Sequence, residues 1–69
     1  MVIQLGDPSL AAELREHFRR AGFVAVPKGE LLEVTQPDAP SDEQARREIE
    51  VHLRIWLVMH PASRAELVD

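Results

Sequence analysis

The chain has 69 residues, no cysteine and a formal net charge of −4, and 45% of its residues are hydrophobic. This length predicts one small domain, and the hydrophobic fraction is that of a folded protein. The lack of cysteine excludes disulfides, thiolate chemistry and cysteine-based metal centres, and the negative charge argues against nucleic acid and anionic membranes as partners.

The N-terminal segment has neither the basic start nor the long apolar run of a signal peptide, and no segment has the length of a membrane span. We therefore expect a cytoplasmic protein. Because a core of this size contributes little stability and no disulfide supports it, we also expect a homodimer or larger homo-oligomer.

The chain begins as strand, then helix. A β-prone run at 2–5 stops at Gly6-Asp7-Pro8, where Asp7 can cap a helix and proline suits its first turn. Apolar residues at helical spacing then predict an amphipathic helix over about 8–21, and Gly22 suits the position that closes it.

A hairpin and a loop follow. β-Branched and aromatic residues predict strands at about 23–27 and 31–35, joined by a turn at Pro27-Lys28-Gly29. The next segment, 36–40, contains two prolines and is predicted to be a connecting loop.

The segment 42–60 fits two secondary structures. Ser41 and Gln44 match a helix-capping box, and apolar residues at helical spacing with no turn signal predict one helix over about 42–60. Apolar and mostly polar residues also alternate strictly from Ile49 to Met59, which is the pattern of a half-buried strand. We favour the helix.

A short alternating segment at about 64–68 is predicted to be a closing edge strand. The order βαββαβ then predicts an α+β, ferredoxin-like fold: a four-stranded antiparallel sheet in the order 4-1-3-2 with two helices on one face. Strand alternation is expected to point one set of side chains at the helices: Ile3, Leu5, Val24, Val26, Leu32, Val34 and Leu67. The other set is expected on the open face: Val2, Gln4, Phe23, Ala25, Leu31, Glu33, Glu66 and Val68.

The second helix carries more apolar side chains than a single buried stripe needs, with Val51, Ile55 and Val58 on one flank. Exposed apolar surface commonly marks an interface, so we predict self-association through this flank, through Leu31 and Phe23 on the open sheet face, or through both. In the alternative, the flank packs against the first helix and the loop near 37–40.

Candidate catalytic and metal-binding residues are sparse. The histidines His17, His52 and His60 lack metal-ligand spacing, so we predict no metal, no cofactor and no enzyme activity. The pairs Glu13–His17 and Glu48–His52 are four residues apart and are interpreted as solvated helix pairs. A composite site at His52 or His60 in a dimer stays open, provided that those rings line one pocket.

His60 is expected to cap the second helix, and Trp56 to anchor the core. We find no serine or threonine in a nucleophile motif.

The segment from Gly6-Asp7-Pro8-Ser9-Leu10 to Ala21-Gly22-Phe23-Val24 resembles the first third of ACT-type regulatory domains. That resemblance implies the same βαββαβ fold, assembly through sheets or helices, and a small effector bound near Gly6, Asp7 and Ser9.

Our leading hypothesis is a non-catalytic, self-associating interaction or regulatory module, with an unidentified protein as a further possible partner. The alternative is a sensor of an amino-acid-like ligand, with its site at the loop after the first strand and across a dimer interface.

Overall fold

Four strands and two α-helices follow one another in the order predicted from the sequence. The structure, a computed structural model, describes residues 1–68. The elements are β1 (Val2–Leu5), a 3₁₀ turn (Pro8–Leu10), α1 (Ala11–Arg20), β2 (Val24–Lys28), β3 (Leu31–Thr35), α2 (Asp42–Met59) and β4 (Ala65–Leu67).

The strands form one antiparallel sheet in the order β2-β3-β1-β4. Read from its other edge, this order is β4-β1-β3-β2, as predicted. Both helices pack on the same face, where one cluster of buried apolar side chains joins them to the sheet. The predicted α+β class, with a four-stranded antiparallel sheet and two helices, is therefore confirmed.

The entry to α1 is a 3₁₀ turn, whereas the sequence pattern predicted continuous helix from residue 8. Asp7 accepts a hydrogen bond from the Ser9 backbone N–H at 3.0 Å, so this side chain caps the turn. At the other end Gly22 has φ of +91°, the left-handed conformation that closes a helix. Between these ends Leu14 and Phe18 are fully buried.

The hairpin between β2 and β3 closes through two residues, because Lys28 pairs with Leu31. Gly29 has φ of +61°, which the tight turns of two-residue hairpins require. Pro27 lies on the outer strand of the sheet, where its missing N–H removes no bond to a neighbouring strand.

Residues 42–59 form a single helix, so the alternative of a long strand between Ile49 and Met59 is wrong. The Ser41 side chain accepts a hydrogen bond from the Gln44 backbone N–H at 3.1 Å, as the capping box predicted. The helix buries one stripe of side chains against the sheet: Ala45, Ile49, Leu53 and Trp56.

The prediction of which β2 side chains face the core is wrong by one residue. Phe23 and Ala25 face the core, and Val24 and Val26 lie on the open face with half of their side chains exposed. The Phe23 ring packs edge-to-face on Phe18, with centroids 5.4 Å apart, and its backbone N–H donates to the Phe18 carbonyl at 3.0 Å. An aromatic ring buries more apolar area than a valine, and it therefore sets which face of the strand turns inward.

This correction can be measured at single residues. We expect Phe23→Leu to lower the free energy of unfolding by about 1 kcal/mol, because the ring fills a packed site, and Val26→Thr to change it by less than about 0.5 kcal/mol. Urea denaturation of both variants at one protein concentration gives the comparison. A larger loss for Val26→Thr would restore the phase predicted from the sequence.

Candidate functional site

The outward side of α2 carries an exposed apolar surface. Val51, Ile55, Val58 and Met59 recur along one side of the helix with exposed fractions of 48%, 47%, 76% and 58%. We call these four side chains the α2 flank. The predicted surplus of apolar surface at the first three is confirmed, and the alternative in which α1 and the loop at 37–40 cover them is wrong. Met59 completes the flank at the same spacing.

The opposite flank of α2 is covered. Leu57 packs against the core cluster and lines a surface depression with Leu53 and Leu67 of β4. β4 borders α2 on one side and α1 borders it on the other, so within residues 1–68 the outward surface of α2 is the side without a neighbouring element.

The open face of the sheet is apolar only in part. Leu31 is 36% exposed there, as predicted, and exposed valines lie nearby on β2. Charged and polar side chains interrupt this surface: Lys28 and Glu33 form an ion pair at 2.7 Å, and Gln4 lies opposite Leu31. Phe23 is 4% exposed, so the prediction that placed it in an interface on this face is wrong.

A groove of about 510 Å³ lies between α1 and α2, beside the α2 flank. All three histidines of the chain are part of its lining. The lining residues are Glu13, His17, Arg20, Ala21, His52, Trp56, Met59 and His60. His52 and His60 therefore both line this groove, which is the condition set from the sequence for a composite site.

The predicted helix pairs do not form in this groove. Glu13 places Oε2 3.7 Å from Nε2 of His60, which belongs to the other helix, and Glu48 accepts a hydrogen bond from Gln36 at 2.5 Å. Spacing along one helix cannot reveal a cluster built from two, so the sequence pattern missed this arrangement.

His17 is tied to the backbone of α2. Its Nε2 lies 3.1 Å from the His52 carbonyl oxygen, which can only accept, so this nitrogen carries the proton. Burial lowers the pKa of His17 below its ordinary value of about 6.5; repulsion from His52 and His60 adds to the effect, and the hydrogen bond to the carbonyl opposes it.

His60 ends α2 as predicted. Its Nδ1 lies 2.9 Å from the Trp56 carbonyl oxygen, and its ring stacks on the Trp56 indole with centroids 4.3 Å apart. The indole is 2% exposed and is among the largest buried side chains, which confirms Trp56 as a core anchor. The stack fixes the orientation of an imidazole that lines the groove.

The loop after β1 holds the residues that the ACT resemblance singled out. The Gly6 backbone N–H donates to the Arg64 carbonyl at 2.8 Å, and the hydrogen bond from Ser9 lowers the pKa of Asp7. Gly6 and Asp7 line a small cleft of about 210 Å³ with Ser63 and Arg64, and Ser9 is not part of its lining. The structure therefore brings two of the three residues to one cleft.

Comparison with protein-family models, curated proteins and solved structures finds no match for the chain. Among residues 1–68, no three or more histidine, aspartate or glutamate side chains are placed to hold a metal ion. In the same part of the chain, no helix has the length and apolar character needed to cross a membrane.

The burial of His17 predicts a pH dependence of stability. The unfolded chain binds a proton at His17 near pH 6.5, whereas the folded chain binds it only at lower pH. The contribution of His17 to the free energy of unfolding is therefore fully present above pH 6.5 and is lost as the pH falls below that value. Urea denaturation between pH 8 and pH 5 measures this loss. His17→Gln, which keeps an N–H donor, should flatten the profile above pH 5; an unchanged profile would assign the dependence to another group.

Gly6 is expected to resist substitution because a Cβ there would lie 2.9 Å from the Arg64 Cβ and 3.1 Å from its carbonyl oxygen. Gly6→Ala should cost about 1–3 kcal/mol of stability, as overpacking does elsewhere. The closer of these contacts, the one with the Arg64 Cβ, disappears if Arg64 is also replaced by glycine. A double-mutant cycle with Arg64→Gly should therefore show favourable coupling, and additive losses would contradict the close approach.

Proposed function

We propose that this chain is a cytoplasmic, non-catalytic interaction module that associates with a second copy of itself through the α2 flank. The observation that carries the proposal is the α2 flank itself, four large apolar side chains exposed side by side on one helix. Exposed contiguous apolar surface of this kind is typical of protein interfaces.

A domain of 69 residues without disulfides commonly gains stability by self-association, and this favours a second copy as the occupant. Because the chain carries 12 acidic and eight basic residues, two copies repel each other at long range, so their contact is expected on a surface with little charge. The flank itself consists of apolar side chains, so burying these four against another flank removes none of their own groups from a charged state in water. On the sheet face, the ion pair between Lys28 and Glu33 would lose its hydration, a cost that is seldom recovered.

The edge of the sheet is a poorer place for self-association. Pro27 lies on the edge strand β2 and cannot donate a backbone hydrogen bond to an added strand. The other edge, β4, has only three residues.

A stable interface needs more surface than the flank provides. A standard interface buries about 800 Å² on each partner, a substantial share of the 4536 Å² surface of this chain. Four side chains do not supply that area. A partner seated on the flank would therefore also cover the adjoining groove, which Met59 borders.

A non-catalytic function is supported by what the polar side chains of the groove do. His17 and His60 each donate a hydrogen bond to a backbone carbonyl oxygen of α2. The residues that line the groove include no serine, threonine or cysteine that could act as a nucleophile. Asp7 and Ser41 serve as helix caps.

The test is the mass of the chain in solution at micromolar concentration, by size-exclusion chromatography with light scattering. We expect a dimer for the natural chain and a monomer for Ile55→Lys, because two charges would meet inside the interface. Val26→Lys is the matched control, since Val26 on the sheet face has the same exposure of 47%. It should remain dimeric.

Circular dichroism should show all three proteins folded. A monomeric natural chain would contradict self-association, and a dimer lost only in Val26→Lys would move the interface to the sheet.

A ligand sensor is a second candidate, favoured by the position of Arg64. Arg64, Gly6 and Ser63 line both the small cleft and a neighbouring one of about 490 Å³, so an exposed guanidinium lies where a carboxylate could bind. A thermal-shift screen with amino acids tests this function. Saturable stabilisation by one compound, lost in Arg64→Gln, would favour the sensor.

A further inference from the structure

His60 is held in one tautomer and one orientation. Its Nδ1 lies 2.9 Å from the Trp56 carbonyl oxygen, and because a carbonyl only accepts, Nδ1 carries the proton of the neutral ring. Nε2 then keeps its lone pair. Histidines that bind metals usually have this arrangement, with the distal N–H on a carbonyl or carboxylate.

A carboxylate faces that lone pair. Oε2 of Glu13 lies 3.7 Å from Nε2 of His60, and the two side chains come from different helices. A tetrahedral zinc ion with bonds of about 2.0–2.2 Å holds two of its ligands roughly 3.3–3.6 Å apart. The separation is therefore close to that of two ligands on one ion, and small side-chain rotations suffice to close it.

We propose that Glu13 and His60 are half of a binding site for a zinc-like divalent ion, and that a second copy of the chain supplies the remaining ligands. Within residues 1–68 no third histidine, aspartate or glutamate joins them, so one chain alone leaves the site incomplete. This inference rests on the proposed self-association.

The position of the pair fits that role. The Glu13 and His60 side chains are 64% and 36% exposed, and they share the groove with Met59 of the α2 flank. A partner that covers the flank would border on both. Arg20 lines the same groove, and its positive charge is partly balanced by Glu16, which lies 3.2 Å away.

The test is sedimentation equilibrium of the full chain in EDTA and in zinc chloride. We expect zinc to lower the dissociation constant of the dimer at least tenfold, and Glu13→Gln and His60→Asn each to abolish that change. Glu43→Gln, a charge-matched change near the start of α2, should retain it. Calorimetric titration with zinc should lose its binding signal in the same two variants, and circular dichroism should show that they remain folded.

The two proposals fail differently. A dimer whose dissociation constant is the same in EDTA and in zinc would overturn the metal site and leave self-association standing. A monomer under both conditions would overturn self-association, and the shared site with it. A zinc response that survives in both Glu13→Gln and His60→Asn would place the ion elsewhere and overturn the assignment.

Discussion

One constraint organises this molecule: an α-helix can lay only one stripe of its surface on a sheet. In α2 that stripe is filled by residues from Ala45 to Trp56, which close the core over strands of three to five residues. The sheet is too small to receive more. Val51, Ile55, Val58 and Met59 are left facing outward, and the proposed self-association depends on that surplus.

Trp56 connects the core to the surface. Its indole is buried in the core, and the His60 ring stacks on it. The same ring donates a hydrogen bond to the Trp56 carbonyl oxygen. A single buried anchor thus fixes the direction of an exposed imidazole. His60 ends the helix through Nδ1 and faces Glu13 through Nε2. One side chain can therefore cap the helix and also present a nitrogen to a metal ion.

The groove shows where reasoning from sequence spacing is limited. Glu13 and His17 are neighbours on α1 by helical spacing, yet Glu13 lies beside His60 and His17 binds the backbone at His52. These contacts depend on the distance between the two helices and on how far one helix is shifted along the axis of the other. Neither quantity is encoded in the periodicity of one helix. The apolar surplus at Val51, Ile55 and Val58, by contrast, was predictable, because it depends only on the periodicity of one helix.

The sequence by itself determined the elements, their order and the antiparallel four-stranded arrangement, since turn residues, caps and apolar periodicity are local signals that agree with one another. It also determined the apolar surplus at Val51, Ile55 and Val58. The tertiary structure alone decided which face of β2 turns inward, because alternation defines two faces without naming the inner one, and the packing of Phe23 on Phe18 made that choice. It alone also brought the three histidines into one groove, because that requires two helices packed side by side.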